Sequence, residues 1–194
     1  MVEQLPCKQK VTGSSPVGSS KNPRGHMIHG SAKIGKRTKI QNTAIIQEGC
    51  EIGDNCFIGH YVVMRPNTKI GNNTVIGHHT VFEGDCVVGE DVLIHSQCHI
   101  TKGVIIEDKV FIAPMFVGAN DPVMVHNRRH IKPFECTPYI IRYGARIGVG
   151  VKVLPGVEIG RNAVVGVGSV VTKNVPDGVV VMGCPAVPVK LVPE

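Results

Sequence analysis

Apolar residues recur at every sixth position along most of this chain, and that period limits the folds open to it. In "IGNNTVIGHHTVFEGDCVVGEDVLIHSQCHI" the beat falls on Ile70, Ile76, Phe82, Val88, Ile94 and Ile100. A helix repeats every 3.6 residues or so and a strand about every two, so neither alone needs a period of six. Followed outward, the beat runs from Ile28 to Ile112 in fifteen hexads without a slip. Four places after each beat stands a small or β-branched residue, such as Thr38, Ala44, Cys56, Thr74 or Val92; Phe116 is the one misfit. Gly often follows the beat, as at Gly53, Gly71 and Gly89, and then come pairs such as Asp54-Asn55 and Asn72-Asn73. Residues of these types tolerate the positive φ of a tight corner.

Short strands meeting at corners satisfy this pattern. Three sides of six residues close a triangular coil, and residues eighteen apart then stack at about 4.8 Å. Two inward positions per hexad fill the interior. Cys50, Cys56, Cys86 and Cys98 all occupy the small inward position, where a thiol acts as core filler. Residues 118–140 interrupt the beat, which resumes one place out of phase at Ile141, Ile147, Val153, Ile159, Val165 and Val171. An inserted loop accounts for both the break and the slip. The sequence thus predicts an all-β solenoid of about seven triangular coils over residues 27–175, with one long inserted loop at 118–140. Residues 176–194 read as an extended C-terminal tail strapped over the last coil. Residues 1–26 keep no beat and are Ser/Gly-rich, so they read as a disordered extension with a non-native start, Met27 being the working one.

The remaining composition narrows the function classes. The net charge of +6 includes +3 from residues 1–26, and no Lys/Arg stripe follows, so a nucleic-acid partner is not expected. No apolar run is long enough to span a bilayer, so no membrane partner is expected either. Seven cysteines without scaffold spacing suggest a reduced, cytoplasmic chain.

The residue before each beat points outward. One face reads Lys33, Glu51, Lys69, Val87, Ile105; the second Lys39, Phe57, Val75, Leu93, Phe111; the third Ile45, Val63, Val81, His99, Val117. Two largely apolar faces suit a ring of three copies. Stacking by eighteen also gathers polar residues. His60, His78, His79, His95, Ser96 and Gln97 share one corner. The next corner carries Glu83, Gly84 and Asp85, then Thr101, Lys102 and Gly103, then Ala119, Asn120 and Asp121 at the root of the loop. The loop adds His126, His130, Arg128 and Arg129.

The segments "IGNNTVIGHHT", "IGVGVKVLPGVEIGRNAVVGVGSVVTKNVP" and "GCPA" resemble the hexapeptide-repeat acyltransferases over residues 28–188. The resemblance implies a left-handed parallel β-helix, a hand that crossover sterics alone would disfavour. It also implies a homotrimer, acetyl-CoA as co-substrate and a site between subunits. Relatives that acetylate sugar hydroxyls usually carry "THP" at the loop root, where this chain has Asn120-Asp121-Pro122. Some N-acetyltransferases carry "EHD" where it has Glu83-Gly84-Asp85. The pattern is most similar to the nucleotide-amino-sugar N-acetyltransferases, which read "END" and "TND" there. An amine acceptor on a sugar or nucleotide sugar is therefore expected. His126, Asp121 and Glu83 are the implied catalytic residues, and Asp85, Asn120, His95, Arg128 and Arg129 the substrate-binding ones. Gly148, Gly166 and Ser169 are implied near the pantetheine, and Lys173 and Lys190 near the CoA phosphates.

Three rivals remain at this point. One is an O-acetyltransferase acting on a sugar or small alcohol. The second is a zinc protein like the γ-class carbonic anhydrases, whose signature resembles "VGHxxxxHG"; "IGHHTVFEG" offers His78 and, in place of the second ligand, Glu83. The third is a scaffold or simple binding module, against which the long loop argues.

Overall fold

The computed structural model describes residues 27–124, 133 and 135–193. Among them no helix forms, and twenty-two two-residue strands run from Met27–Ile28 to Val170–Val171. They build three parallel sheets, and each strand pairs with the strand three further along the chain. Register partners are eighteen residues apart, as in Val81↔His99, Val87↔Ile105 and Leu93↔Phe111. The chain therefore winds as a triangular coil, consistent with the left-handed winding that the resemblance implies.

Backbone hydrogen bonds join each coil to the next. The Val87 N–H donates to Val104 O at 2.9 Å and the Gly89 N–H to Ile106 O at 2.8 Å. Inside, Ile46, Ile58, Met64, Ile76, Phe82, Ile94, Ile100 and Ile112 form one continuous core. The small inward residue has a second task. Thr74 Oγ1 donates to Gly89 O at 3.0 Å, and Cys56 Sγ reaches Gly71 O at 3.1 Å. Thr and Cys share this position because each is small and each offers a donor to a corner carbonyl of the following coil. Burial pushes all four core thiols up, that of Cys86 to about 12, so they stay protonated.

The corners refine the sequence reading of glycine. The left-handed residue is the third after the beat, as at Asn55, Asn73, Asp85 and Asp91. Glycine directly after the beat answers a different demand. A Cβ at Gly89 would lie 2.7 Å from Asp108 N, so clearance from the next coil excludes a side chain there.

The insertion can now be measured. Ile105 pairs with Ile140, thirty-five places on instead of eighteen. Seventeen residues are thus inserted, one short of a full coil, which is the observed slip of phase. The beat does not stop at Ile112. It falls on Gly118, in the strand Val117–Gly118, which pairs onward with Lys152–Val153. On the far side of the prism Arg142 ties the coils flanking the break, with Nη1 2.9 Å from Glu107 Oε1 and Nε 2.8 Å from Glu158 Oε1.

The prism also has an eighth coil, where the hexad spacing alone predicts about seven. Val175 bridges to Ile159, and the strand Val179–Gly183 pairs in parallel with Val164–Val165. Ala186–Leu191 then folds back antiparallel on Val179–Gly183.

This packing predicts thiol reactivity. In the native protein exposed Cys184 should alkylate quickly, while Cys50, Cys56, Cys86 and Cys98 should label only on unfolding. Mass spectrometry of peptides after iodoacetamide treatment reads this directly; native labelling of Cys86 contradicts the assignment.

Candidate active site

The acidic corner is built by successive coils. Glu83 follows the beat at Phe82, so it leaves the strand Val81–Phe82 at the corner. Arg65 stands eighteen residues earlier, directly beneath, and its Nη1 lies 2.6 Å from Glu83 Oε2. From the coil on the other side His99, outward on the face, brings Nε2 to 3.8 Å from Glu83 Oε1. Glu83 is thus held between a guanidinium and an imidazole, with 23% of its side chain exposed.

Asp85, two residues on, is similarly bracketed. Asn67 Nδ2 donates to Asp85 Oδ1 at 2.9 Å, and Lys102 Nζ lies 3.0 Å from Asp85 Oδ2. Burial pushes the Asp85 carboxyl up, but the Asn67 amide and the Lys102 ammonium outweigh it and hold the pKa below its usual value. One coil further, Asn120 Nδ2 donates to Lys102 O at 3.2 Å and lies 3.3 Å from Cys136 Sγ. Its own carbonyl accepts the Thr137 N–H at 2.7 Å. Glu83, Asp85 and Asn120 therefore line one edge, with the coil of Lys102 between them and exposed Asp121 at the loop root.

The histidine-rich corner lies across the face and is organised differently. His78 Nδ1 accepts the His60 N–H at 2.8 Å, so the neutral ring carries its proton on Nε2. His60 Nδ1 meets Thr43 Oγ1 at 3.0 Å, and the two rings stack with centroids 5.5 Å apart. At the neighbouring corner Asn72 Oδ1 and Asp108 Oδ1 accept the N–H groups of Asp54 and Glu90 in the same manner. His78 thus does for its corner what Asn and Asp do elsewhere, satisfying a backbone donor of the coil below. His95 packs edge-on to Phe111, with centroids 5.4 Å apart, and stands at this corner, away from Glu83. For the zinc reading, His78 and Glu83 fall on different corners, each already engaged. Among the described residues no group of three or more His, Cys, Asp or Glu is placed to hold a metal ion.

Gly148 and Gly166 stack on the late coils of the histidine-side corner. Ser169 beside them is buried, and its Oγ accepts the Gly183 N–H at 3.1 Å. Its side chain is therefore committed to the turn that carries Cys184 and Pro185. Lys173 and Lys190 are both exposed. His126, Arg128 and Arg129, like His130, lie outside the described residues.

Sequence reasoning singled out Glu83, Asp85 and Asn120 and placed Lys102 at their corner and His99 on the adjoining face, but it missed Arg65 and Asn67 and did not pair His99 with Glu83. Arg65, Asn67 and His99 were signalled by the same spacing: Arg65 and Asn67 stand eighteen before Glu83 and Asp85, and His99 eighteen after Val81.

Because folding lowers the Asp85 pKa, folding favours its ionised form. That stability is present above the unfolded value of about 3.9 and is lost as pH falls through the folded value. Asp85→Asn should therefore flatten the fall in the urea midpoint below about pH 4, while costing some stability at pH 7. An unchanged pH profile would contradict the bracketing by Asn67 and Lys102.

Comparisons with known proteins meet this geometry. The family model for the bacterial transferase hexapeptide (six repeats) matches residues 31–66 and 49–84, and that for the hexapeptide repeat of succinyl-transferase matches 140–173. The galactoside O-acetyltransferase of Lactococcus lactis subsp. lactis (strain IL1403) is 62% identical over 39 residues, 20% of this chain and 19% of the relative. A 2,3,4,5-tetrahydropyridine-2,6-dicarboxylate N-acetyltransferase of Clostridium perfringens (strain SM101 / Type A) is 47% identical over 64 residues, 33% of this chain and 27% of the relative. These matches span less than a third of each of those two curated relatives. In three dimensions the chain is similar to a hexapeptide-repeat-containing acetyltransferase of Vibrio cholerae O1 biovar eltor solved with acetyl-CoA. The TM-score is 0.57 at 25% identity, covering 64% of this chain and 71% of the other. By its repeat, its coil and these matches, the chain carries the hexapeptide repeat and is similar to the hexapeptide-repeat acetyltransferases.

Proposed function

We propose that this protein transfers an acetyl group from acetyl-CoA to the amino group of an amino sugar, carried on a nucleotide, in a seam between copies of a homotrimer. The observation that carries the reading is the stacked edge of Glu83, Asp85 and Asn120, with Asp121 at the loop root. Three carboxylates against the two cations Arg65 and Lys102 leave the edge net negative, which suits a cationic ammonium acceptor better than a neutral alcohol. The names of the relatives support acetyl transfer in general, since both an O- and an N-acetyltransferase match.

In this reading the amine sheds a proton, attacks the thioester carbonyl and displaces CoA as its thiol. Negative charge on the carbonyl oxygen is met by backbone N–H groups. Glu83 and Asp121 orient the acceptor, with Asp85 and Asn120 fixing its position and Arg128 and Arg129 meeting its phosphates. The proton lost by the attacking amine passes to a histidine and from it to the leaving thiolate. The sequence points to His126 for this role, and the geometry adds His99, which stands beside Glu83. The pantetheine runs past Gly148, Gly166 and the backbone at Ser169, with Lys173 and Lys190 toward the phosphates. The trimer rests on outward apolar residues that a lone chain leaves in water: Val75, Phe111 and Val117 are 36, 37 and 44% exposed.

Thiol release from acetyl-CoA, measured against a panel of nucleotide amino sugars and sugar alcohols, tests the acceptor. Turnover is expected with amines only, and Glu83→Gln should lower kcat/KM for the amine by about tenfold or more. Release with alcohols alone would overturn the amine reading in favour of O-acetylation.

A further inference from the structure

The point where the insertion leaves and rejoins the prism is also the point where the core breaks its own rule. Every other beat on that face carries an apolar side chain, among them Met64, Phe82, Ile100, Val153 and Val171, but the strand Val117–Gly118 brings Gly118 to the interior. The space is not empty. Tyr139, at the rejoining end, is wholly buried, and its ring lies where a side chain at Gly118 would go; a Cβ on Gly118 would overlap it. Phe116, like Tyr139 a large residue at a small inward position, meets the same ring edge-on with centroids 5.7 Å apart. The Tyr139 hydroxyl is directed toward Thr101, yet neither hydroxyl has a hydrogen bond of good geometry. The ring, not the hydroxyl, is what the site uses.

Both roots of the insertion hang from this contact. Gly118 precedes Ala119 and Asn120; Tyr139 follows Cys136, Thr137 and Pro138. The roots are joined by the Thr137 N–H to Asn120 O at 2.7 Å and by Asn120 Nδ2 to Cys136 Sγ at 3.3 Å. Thr137 O in turn accepts the Gly156 N–H at 2.9 Å, and Pro138 packs on Gly103 of the acidic corner.

We propose that Tyr139 is a positioning residue. Its ring replaces the side chain missing at Gly118, pins the rejoining root to the departing one, and so holds Asn120 against Lys102, the partner of Asp85. What Asn120 does there rests on the acyl-transfer reading above; the pinning does not.

The test exploits the exchange of sizes. The next coil carries Val153 and Val157 at the corresponding positions. Gly118→Val should clash with the ring and Tyr139→Val should leave a hole, each lowering Tm by roughly 5 °C or more. The double variant recreates the Val153/Val157 arrangement and should return to within about 3 °C of the parent. If Tyr139 only filled space, the double variant would be restored in every respect. If it positions the roots, the Thr137 amide should exchange with solvent about tenfold faster in the double variant, while the Val87 amide is unchanged. The KM for an amine acceptor should rise severalfold, with that for acetyl-CoA unaltered. Tyr139→Phe, which keeps the ring, should match the parent in all three measurements. Parental Thr137 exchange in the double variant, failure of its Tm to recover, or loss of Thr137 protection in Tyr139→Phe would each overturn the proposal. Tm and amide exchange need no substrate, so a failure of the acyl-transfer reading leaves this test intact.

Discussion

The parallel backbone ladder between successive coils is the constraint on which the rest of the structure depends. With sides of only six residues, no strand is long enough to be stable alone, and each coil is held by the coils before and after it. Every corner presents backbone groups that the ladder does not reach, so they must be satisfied locally. The chain meets this with side chains eighteen or fifteen residues away: Asn72 and Asp108 accept corner N–H groups, Thr74 and Cys56 donate to corner carbonyls, and His78 takes the same duty at its own corner. Much of what looks chemically active along the sequence is in this sense architectural. The four core cysteines and the stacked histidines are occupied by the coil itself.

The candidate site arises where that architecture is interrupted. Stacking gathers residues from Arg65 to Asn120 onto one edge, and the insertion leaves the prism at that edge. Glu83 and Asp85 differ in their partners from the corner aspartates Asp54 and Asp108. Asp54 and Asp108 bond backbone N–H groups, whereas Glu83 and Asp85 are held by Arg65, His99, Asn67 and Lys102. An arriving cationic acceptor can take over contacts of this second kind without unpicking the coil. The opposite corner at the break, where Arg142 bridges Glu107 and Glu158, ties the coils together on the side away from the site.

The hexad beat made the prism, its three faces and the acidic corner legible, because inward, outward and corner positions each have their own residue types. Legibility failed where a position obeys the coil through another residue. Gly118 keeps the beat, but it has no side chain to show it, and its partner Tyr139 lies twenty-one places away across the insertion. The eighth coil was hidden because Val175 and Val181, on either side of Pro176, pair with beat residues only sixteen places back, so the six-residue spacing is lost there. Glycine after the beat was read as a conformational need, while the structure shows a need for clearance that depends on the coil above. The ion pair of Arg65 with Glu83 was within reach, since spacing alone places the two side by side. The loop cations and His126 lie outside the described residues, so their part in the site rests on the resemblance alone.

The central claim is that coils stack in register across the insertion, because this alone brings the loop root over the acidic corner. Cysteine pairs on the outer face test it directly. Ile105→Cys with Ile140→Cys should form a disulfide under mild oxidation, detectable as a cross-linked peptide, because the two are register partners. A chain that ran on without inserting seventeen residues would instead bridge Ile105→Cys with Val123→Cys, and that result would contradict the account.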